Sequence, residues 1–260
     1  MSNPEELVFP THKERFEDRR KEGEHRKLQD EFFDHSTLLA ISRLMSQGEF
    51  DSIDYPISTG KEGGVFRASG AAGFRAVKVY RIGNAVFRRI PAYALEDLRR
   101  EASERNYGRL VAAWTRREHT MLQRMTDAQV RVPQPYGRLR NVLVMEFIGT
   151  EELPAPPLQE AEVEDPAALY HELVQQMHRM THDAHLVHGD LSPYNILWHE
   201  GHPVIIDVAQ AVSSEHPQAR ALLARDTANF ARYLKRLGFD VGPEEFFAAA
   251  GGESVGPKET

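Results

Sequence analysis

Apolar residues recur in two rhythms along this 260-residue chain. In "DEFFDHSTLLAISRLMSQG", Phe33, Leu38, Leu39, Ile41, Leu44 and Met45 return at the spacing of an amphipathic helix, which Gly48 stops. The segments "YPIST", "GVFRAS" and "FRAVKVY" read as strands of an antiparallel meander, separated by Gly60, Gly63 and Gly64 and then by Gly70 and Gly73. Residues 82–110 are Arg-rich and poorly periodic, which predicts a long flexible loop and a candidate functional segment. A second helix is predicted over "LVAAWTRREHTMLQRM", whose broad face holds Leu110, Ala113, Trp114, His119, Leu122 and Met125. A two-proline turn then leads to a buried strand, "NVLVMEF". The acidic, proline-rich "TEELPAPPLQEAEVED" reads as a linker between two lobes.

Asp165-Pro166 opens a further helix, with Asp as N-cap, Pro at the first turn and a stripe of Leu169, Leu173, Met177 and Met180. Two short strands around a loop follow in "LVHGDLSPYNILWHEGHPVIIDVAQAV". A last helix carries Leu222, Phe230, Leu234 and Leu237 before Gly238, and "GGESVGPKET" is expected to fray. There is no internal repeat. These elements divide the chain into a charged, flexible arm (1–29), a leading helix (30–50), a strand-rich lobe (51–149) containing the 82–110 loop, a linker with a mainly helical lobe (150–240), and a tail (241–260). The fold class expected is α+β with two lobes.

Composition narrows the chemistry. There is no cysteine, so disulfides and thiolate catalysis are excluded, and a reducing, cytoplasmic setting is expected. The first thirty residues show no apolar core of the kind a signal peptide needs, and no stretch approaches the ~18 apolar residues of a membrane span. The net charge of −7 is uneven: residues 75–140 hold 15 Lys/Arg against 6 Asp/Glu, whereas residues 141–170 hold 7 Asp/Glu and no Lys or Arg. A basic stretch of this kind suits RNA, yet solvated helix faces account for it equally well, so charge leaves RNA contact open.

Three oxygen-bearing side chains carry the sharper signal. In "HGDLSPYN", Asp190 and Asn195 have the spacing of the kinase catalytic loop H-R-D-x-x-x-x-N, with Gly189 in place of the arginine, and Asp207 ends the apolar run "VIID". Phosphoryl transfer needs such a set: one carboxylate for the attacking hydroxyl or water, and an amide oxygen with a second carboxylate to hold Mg²⁺ against phosphates. Upstream, "RAVKVY" places Lys78 on a third strand, as V-A-I-K does, where its ammonium would meet the phosphates. Glu118, mid-helix, is the expected partner of Lys78, with Glu101 and Glu104 as competitors. "STGKEGGVF" is not a Walker A loop, since Glu62 stands where Ser/Thr is required and the segment enters a strand. Its backbone, with Ser58, Thr59 and Lys61, can still cradle phosphates. His178, His182, His185 and His188 lack the H-E-x-x-H arrangement and read as solvent-facing or loop-fixing residues rather than zinc ligands.

Together, "STGKEGGVF", "VKVYR", "WTRREHTML", "NVLVMEFIG", "LVHGDLSPYNIL" and "VIIDVAQAV" resemble the RIO family of atypical serine protein kinases, above all its first subfamily, over roughly residues 30–240. The resemblance implies a bilobal kinase fold with a trimmed C-lobe and no winged-helix domain of the second subfamily. It implies ATP with Mg²⁺, or Mn²⁺ in its place, as cofactor. Asp190 would be the catalytic aspartate, Asn195 and Asp207 the metal ligands, and Lys78 with Glu118 the phosphate grip. Met145 would be the gatekeeper, Glu146 and Ile148 would receive adenine through their backbone, and Leu197 and Ile206 would lie beneath it. Ser58, Thr59, Lys61, Glu62 and Val65 complete the implied nucleotide contacts. Ser103 would be the autophosphorylation site within the flexible loop. Gly63-Gly64 stands where the family commonly shows Ala-Asn, which would loosen the phosphate loop. The partners implied are ATP, a protein substrate or a ribosomal precursor, and no membrane. An ATPase switch with a phosphorylated carboxylate at Asp207 is a second form of the same reading. A small-molecule kinase of the aminoglycoside or sugar type, which shares "HGD" and "N", is the alternative.

Overall fold

The computed structural model describes residues 33–61, 63–82, 90–101, 107–151 and 153–257. The chain divides into two compact units, Met1–His119 with Pro135–Phe147, and Thr120–Gln134 with Ile148–Thr260. The fold is mixed α+β, as the apolar rhythms predict.

The first unit is a five-stranded sheet in the order β1-β2-β3-β5-β4. Its strands are β1 (Ser52–Thr59), β2 (Gly63–Gly70), β3 (Gly73–Tyr80), β4 (Pro135–Leu139) and β5 (Val142–Glu146), all paired antiparallel. β1–β3 form the predicted meander, and β5 joins β3 so that β4 becomes an edge. The strand alternation sends Ile53, Phe66, Ala68, Val77, Val79, Val142 and Val144 to one face, where they are buried with Ala40, Ile41 and Leu44 of α1 (His35–Ser46). Asp34 caps α1 by accepting the Thr37 N–H at 2.7 Å, and Gly48 at φ 82° ends it by donating to Met45 O. The opposite face carries Val65, Lys78 and Leu143 in cross-strand register. β4 falls within the stretch that the two prolines mark as a turn. A bulge between Pro135 and Gly137 on an edge strand accommodates the missing N–H.

The 82–110 segment is not the unbroken loop expected. α2 spans Ala92–Glu101, and α3 (Tyr107–Asp127) begins before Leu110. Ile90, Ala94 and Leu98, four residues apart, are buried and form a narrow stripe that the neighbouring charged residues obscure in the sequence. Ser103 and Glu104 lie outside the described residues, as does the side chain of Glu101.

In the second unit, α4 (Pro166–His182) is capped by Asp165, whose carboxylate accepts from Ala167 and Ala168, both at 3.0 Å. Two antiparallel strand pairs follow: β6 (Leu186–Val187) with β9 (Val212–Ser213), and, between them in the chain, the hairpin of β7 (Ile196–His199) with β8 (His202–Ile205). α5 (Ala219–Arg236) and α6 (Pro243–Ala249) complete the unit. The acidic segment expected as a linker is fastened to β7, the loop before it and α5 instead. Trp198 donates to Pro156 O, Gln159 to Pro193 O, and the Tyr233 hydroxyl to Leu158 O, with Leu158 fully buried. Nor does the described part of the tail fray. Thr181 donates to Ala250 O at 3.0 Å, Gly256 donates to Ser214 O at 2.9 Å, and Val255 is buried. These bonds give the glycine-rich end backbone partners that no apolar pattern announces.

Candidate active site

In the first unit, the ammonium of Lys78 on β3 meets Glu118 Oε1 of α3 at 2.7 Å. Glu118 is 1% exposed, so its charge needs full compensation. The second carboxylate oxygen accepts from the Tyr80 hydroxyl. Tyr80 follows Lys78 by two residues and therefore shares its face of the strand. The pair leaves the lysine oriented by a buried acid and set beside Val65 and Leu143. Met145 stands opposite Ala76, the position of alanine in V-A-I-K, and Glu146 opposite Arg75.

The turn preceding β2 is short. Gly60 N–H donates to Gly63 O at 2.9 Å, while Ser58, Thr59, Gly60 and Lys61 are exposed. Glu62 lies outside the described residues. Gly63 and Gly64 are not loose loop residues: they pair with Tyr80 and Val79 as the start of β2. A Cβ at residue 63 would come within 2.3 Å of Val79 O, so the strand approaches too closely for any side chain there.

The second unit holds the candidate catalytic-loop residues. β6 delivers His188, 1% exposed, beneath the loop. Its Nδ1 faces the Asp190 N–H at 3.3 Å and its Nε2 faces Ile206 O at 3.0 Å. An N–H can only donate and a carbonyl can only accept, so the ring must be the neutral Nε2–H tautomer. Burial pushes the His188 pKa down, against the Ile206 carbonyl and the charges of Asp207 and Asp190. This ring therefore ties the start of the Asp190 loop to the strand end that delivers Asp207.

The loop is closed by Asn195, whose N–H reaches Ser192 O at 2.9 Å and whose Nδ2 reaches Asp190 O at 2.8 Å. That bond fixes the amide so that Oδ1 is the outward group. Ile206 N–H donates to Asn195 O at 3.0 Å, bringing Asn195 beside the segment that ends in Asp207. Asp207 sits at φ 62°, ψ 49°, a left-handed conformation that few non-glycine residues adopt. Asp190 and Asp207 are both exposed. The donor set suits a hard divalent cation: one amide oxygen and one carboxylate, with the remaining positions left to water and phosphate oxygens. Among the described residues no group of three His, Cys, Asp or Glu is placed to hold a metal, and the His178 and His182 rings instead stack at 4.0 Å.

Leu197 packs with Ile148, Ala155 and Val204 in one apolar cluster, and Ile206 is half-buried.

Two residues that the sequence reading overlooks support this loop. Asp226 of α5 is fully buried and accepts the N–H of Gly189 at 2.9 Å and of Leu191 at 3.1 Å. Burial raises its pKa to about 7, opposed by those two N–H groups and by Arg225. Arg225 donates to Gly189 O. The signal was present in the sequence: Asp226 interrupts the Leu222–Phe230 apolar stripe, and a carboxylate on a core stripe needs buried partners.

Residues 64–246 match the RIO domain. The chain is 41% identical over 239 residues to the RIO-type serine/threonine-protein kinase Rio1 of Haloferax volcanii, covering 92% of this chain and 82% of that one. It is 32% identical over 245 residues to the Rio1 kinase of Methanocaldococcus jannaschii, covering 94% and 84%. Among solved structures it resembles the Rio2 kinase of Chaetomium thermophilum, an ADP/Mg²⁺-phosphoaspartate complex, with a TM-score of 0.66 and 24% identity over 87% of this chain and 68% of that one. By this similarity the chain belongs to the RIO family and is a RIO-type protein kinase.

Proposed function

We propose that this kinase transfers the γ-phosphoryl group of ATP with Asp190 at the acceptor, and that Lys78, oriented by Glu118, holds the nucleotide's phosphates. Met145, Glu146 and Ile148 line the adenine side, with Leu197 and Ile206 beneath it, and Ser58, Thr59, Lys61, Glu62 and Val65 belong to the phosphate side. The single observation that carries the reading is the bracing of the Asp190 backbone and the strand end at Ile206, next to Asp207, by one neutral histidine, with Asn195 bonded to both segments through Asp190 O and Ile206 N–H. It holds acid–base and metal-binding oxygens in fixed relation, as positioning catalysis requires. Mg²⁺ held by Asn195 and Asp207 would neutralise phosphate charge. Asp190 orients the attacking oxygen and takes its proton.

The phosphoaspartate in the Chaetomium Rio2 structure favours a second outcome, in which Asp207 itself receives the phosphoryl group and turnover acts as a switch. Ser103 is the candidate for autophosphorylation. A protein substrate or ribosomal precursor in the cytoplasm is the partner we favour, in keeping with the absence of cysteine. Among the described residues no helix is long and apolar enough to cross a membrane. The test is an assay with labelled ATP and Mg²⁺ that follows free phosphate and label on the protein, wild type beside Asp190→Ala. Turnover should fall about 10²–10⁴-fold, the usual worth of a positioned acid–base group. Label released from the protein by hydroxylamine, as an acyl phosphate is, identifies the switch, and hydroxylamine-resistant label on serine identifies the kinase. Turnover unchanged in Asp190→Ala overturns the assignment.

A further inference from the structure

Phosphoryl transfer builds negative charge on three oxygens of the moving group, so a cation beside them lowers the barrier. The loop that carries Asp190 and Asn195 has none. No lysine or arginine stands between Arg179 and Arg220, a span that contains every catalytic-loop and metal-binding candidate. The second unit's arginines are mostly engaged elsewhere: Arg124 with Ala184 O, Arg179 with Gln129 O, Arg220 with Gly252 O and Arg232 with Ala228 O.

Arg225 differs. It rises from α5 to donate through Nη2 to the carbonyl of Gly189, one peptide bond before Asp190. The residue is exposed, as Asp190 is. Its electrostatic influence reaches His188, the buried ring that Asp190 and Asp207 also influence. A guanidinium carries five N–H donors in a rigid fork suited to phosphate oxygens. Among the described residues its hydrogen bond to Gly189 uses Nη2 alone, so Nε and Nη1 remain to meet a ligand.

Resting on the phosphoryl-transfer reading above, we infer that Arg225 is a phosphate-facing catalytic residue, supplying from α5 the cation that the loop lacks. In the step itself the bond from the γ-phosphorus to the bridging oxygen breaks, leaving its electron pair on ADP. The acceptor oxygen bonds to phosphorus and its proton passes to Asp190. Arg225 donates to the non-bridging oxygens as their charge grows.

The experiment compares wild type, Arg225→Gln, Arg225→Lys, Arg225→Ala and Asp190→Ala in turnover, melting temperature, and affinity for Mg·ADP with and without aluminium fluoride, a mimic of the transferring group. Glutamine can still donate to Gly189 O, so Arg225→Gln should melt near the wild type and bind ADP within about twofold. Its turnover and its affinity for the aluminium fluoride complex should each fall about 10²-fold, the usual worth of one preorganised donor. Lysine should recover part of both, and added guanidinium should partly restore Arg225→Ala. Turnover within threefold of wild type in Arg225→Gln overturns the assignment. So does a parallel loss of affinity for ADP with and without aluminium fluoride, which marks a merely structural role. Turnover that survives in Asp190→Ala brings down the underlying reading as well, whereas turnover lost there but kept in Arg225→Gln overturns the Arg225 inference alone.

Discussion

Asp226→Asn separates the folding role of this buried acid from its role in shaping the catalytic loop. The native carboxylate accepts two backbone N–H groups, from Gly189 and Leu191, on its two oxygens. Asparagine keeps one acceptor and turns an NH₂ toward the other N–H. A hydrogen bond to a charged group contributes roughly 1.5–3 kcal/mol, and that one is lost. Against this, the carboxylate is held in a site that disfavours its charge, with a pKa raised to about 7. Asparagine removes that penalty. The two effects oppose each other above neutral pH, so unfolding free energy in urea should change by no more than about 2 kcal/mol. Turnover should nevertheless fall roughly 10²-fold, because Gly189 and Leu191 flank Asp190 and a displacement on the order of 1 Å is enough for that.

The pH dependence has a definite sign. A carboxyl with a raised folded-state pKa binds its proton more tightly in the native protein than in the unfolded chain. Its stabilising contribution is therefore complete below the ordinary value of 3.8 and is lost as the pH rises through about 7. The wild type should lose stability relative to Asp226→Asn over that window, by on the order of a few kcal/mol. His188, present in both proteins, cancels in the difference. A wild-type-minus-variant stability that is flat between pH 4 and 8, or turnover unchanged in the variant, would refute the reasoning.

Two further changes test other parts of the site. Glu118→Ala strips the partner from the Lys78 ammonium and from the Tyr80 hydroxyl, and urea unfolding should show a loss of about 3–5 kcal/mol; Lys78→Met/Glu118→Leu should recover much of that stability without restoring turnover. Asp207→Gly relieves the left-handed backbone at φ 62° and should raise stability by roughly 1 kcal/mol in thermal unfolding, while Mg²⁺-dependent turnover is lost.

Asp190, Asn195 and Asp207 stand out in the sequence as candidates because the phosphate chemistry proposed for them would fix residue type and spacing together. The Lys78–Glu118 contact is legible for a different reason. The lysine lies in an alternating strand and the glutamate on the core side of a periodic helix, so two regular elements point at each other. Irregular segments offered no such lever. In α2, the stripe formed by Ala94 and Leu98 with Ile90 just before the helix is diluted by charges. β4 begins on Pro135, a residue type that ordinarily excludes a strand, and its edge position and bulge admit it. The tail is anchored by backbone hydrogen bonds, which leave no trace in side-chain pattern. Asp226 and Arg225 stand between these cases. They are adjacent in sequence, yet one is sealed in the core and the other exposed, because consecutive helical residues differ by about 100° around the axis. That rotation lets one turn of α5 do two things to Gly189: the carboxylate holds its N–H from within, and the guanidinium holds its carbonyl. With the peptide groups on both sides of Gly189 fixed, the backbone entering Asp190 has little freedom left, which is what an aspartate requires if it is to meet an acceptor oxygen without a lysine or arginine on its own loop.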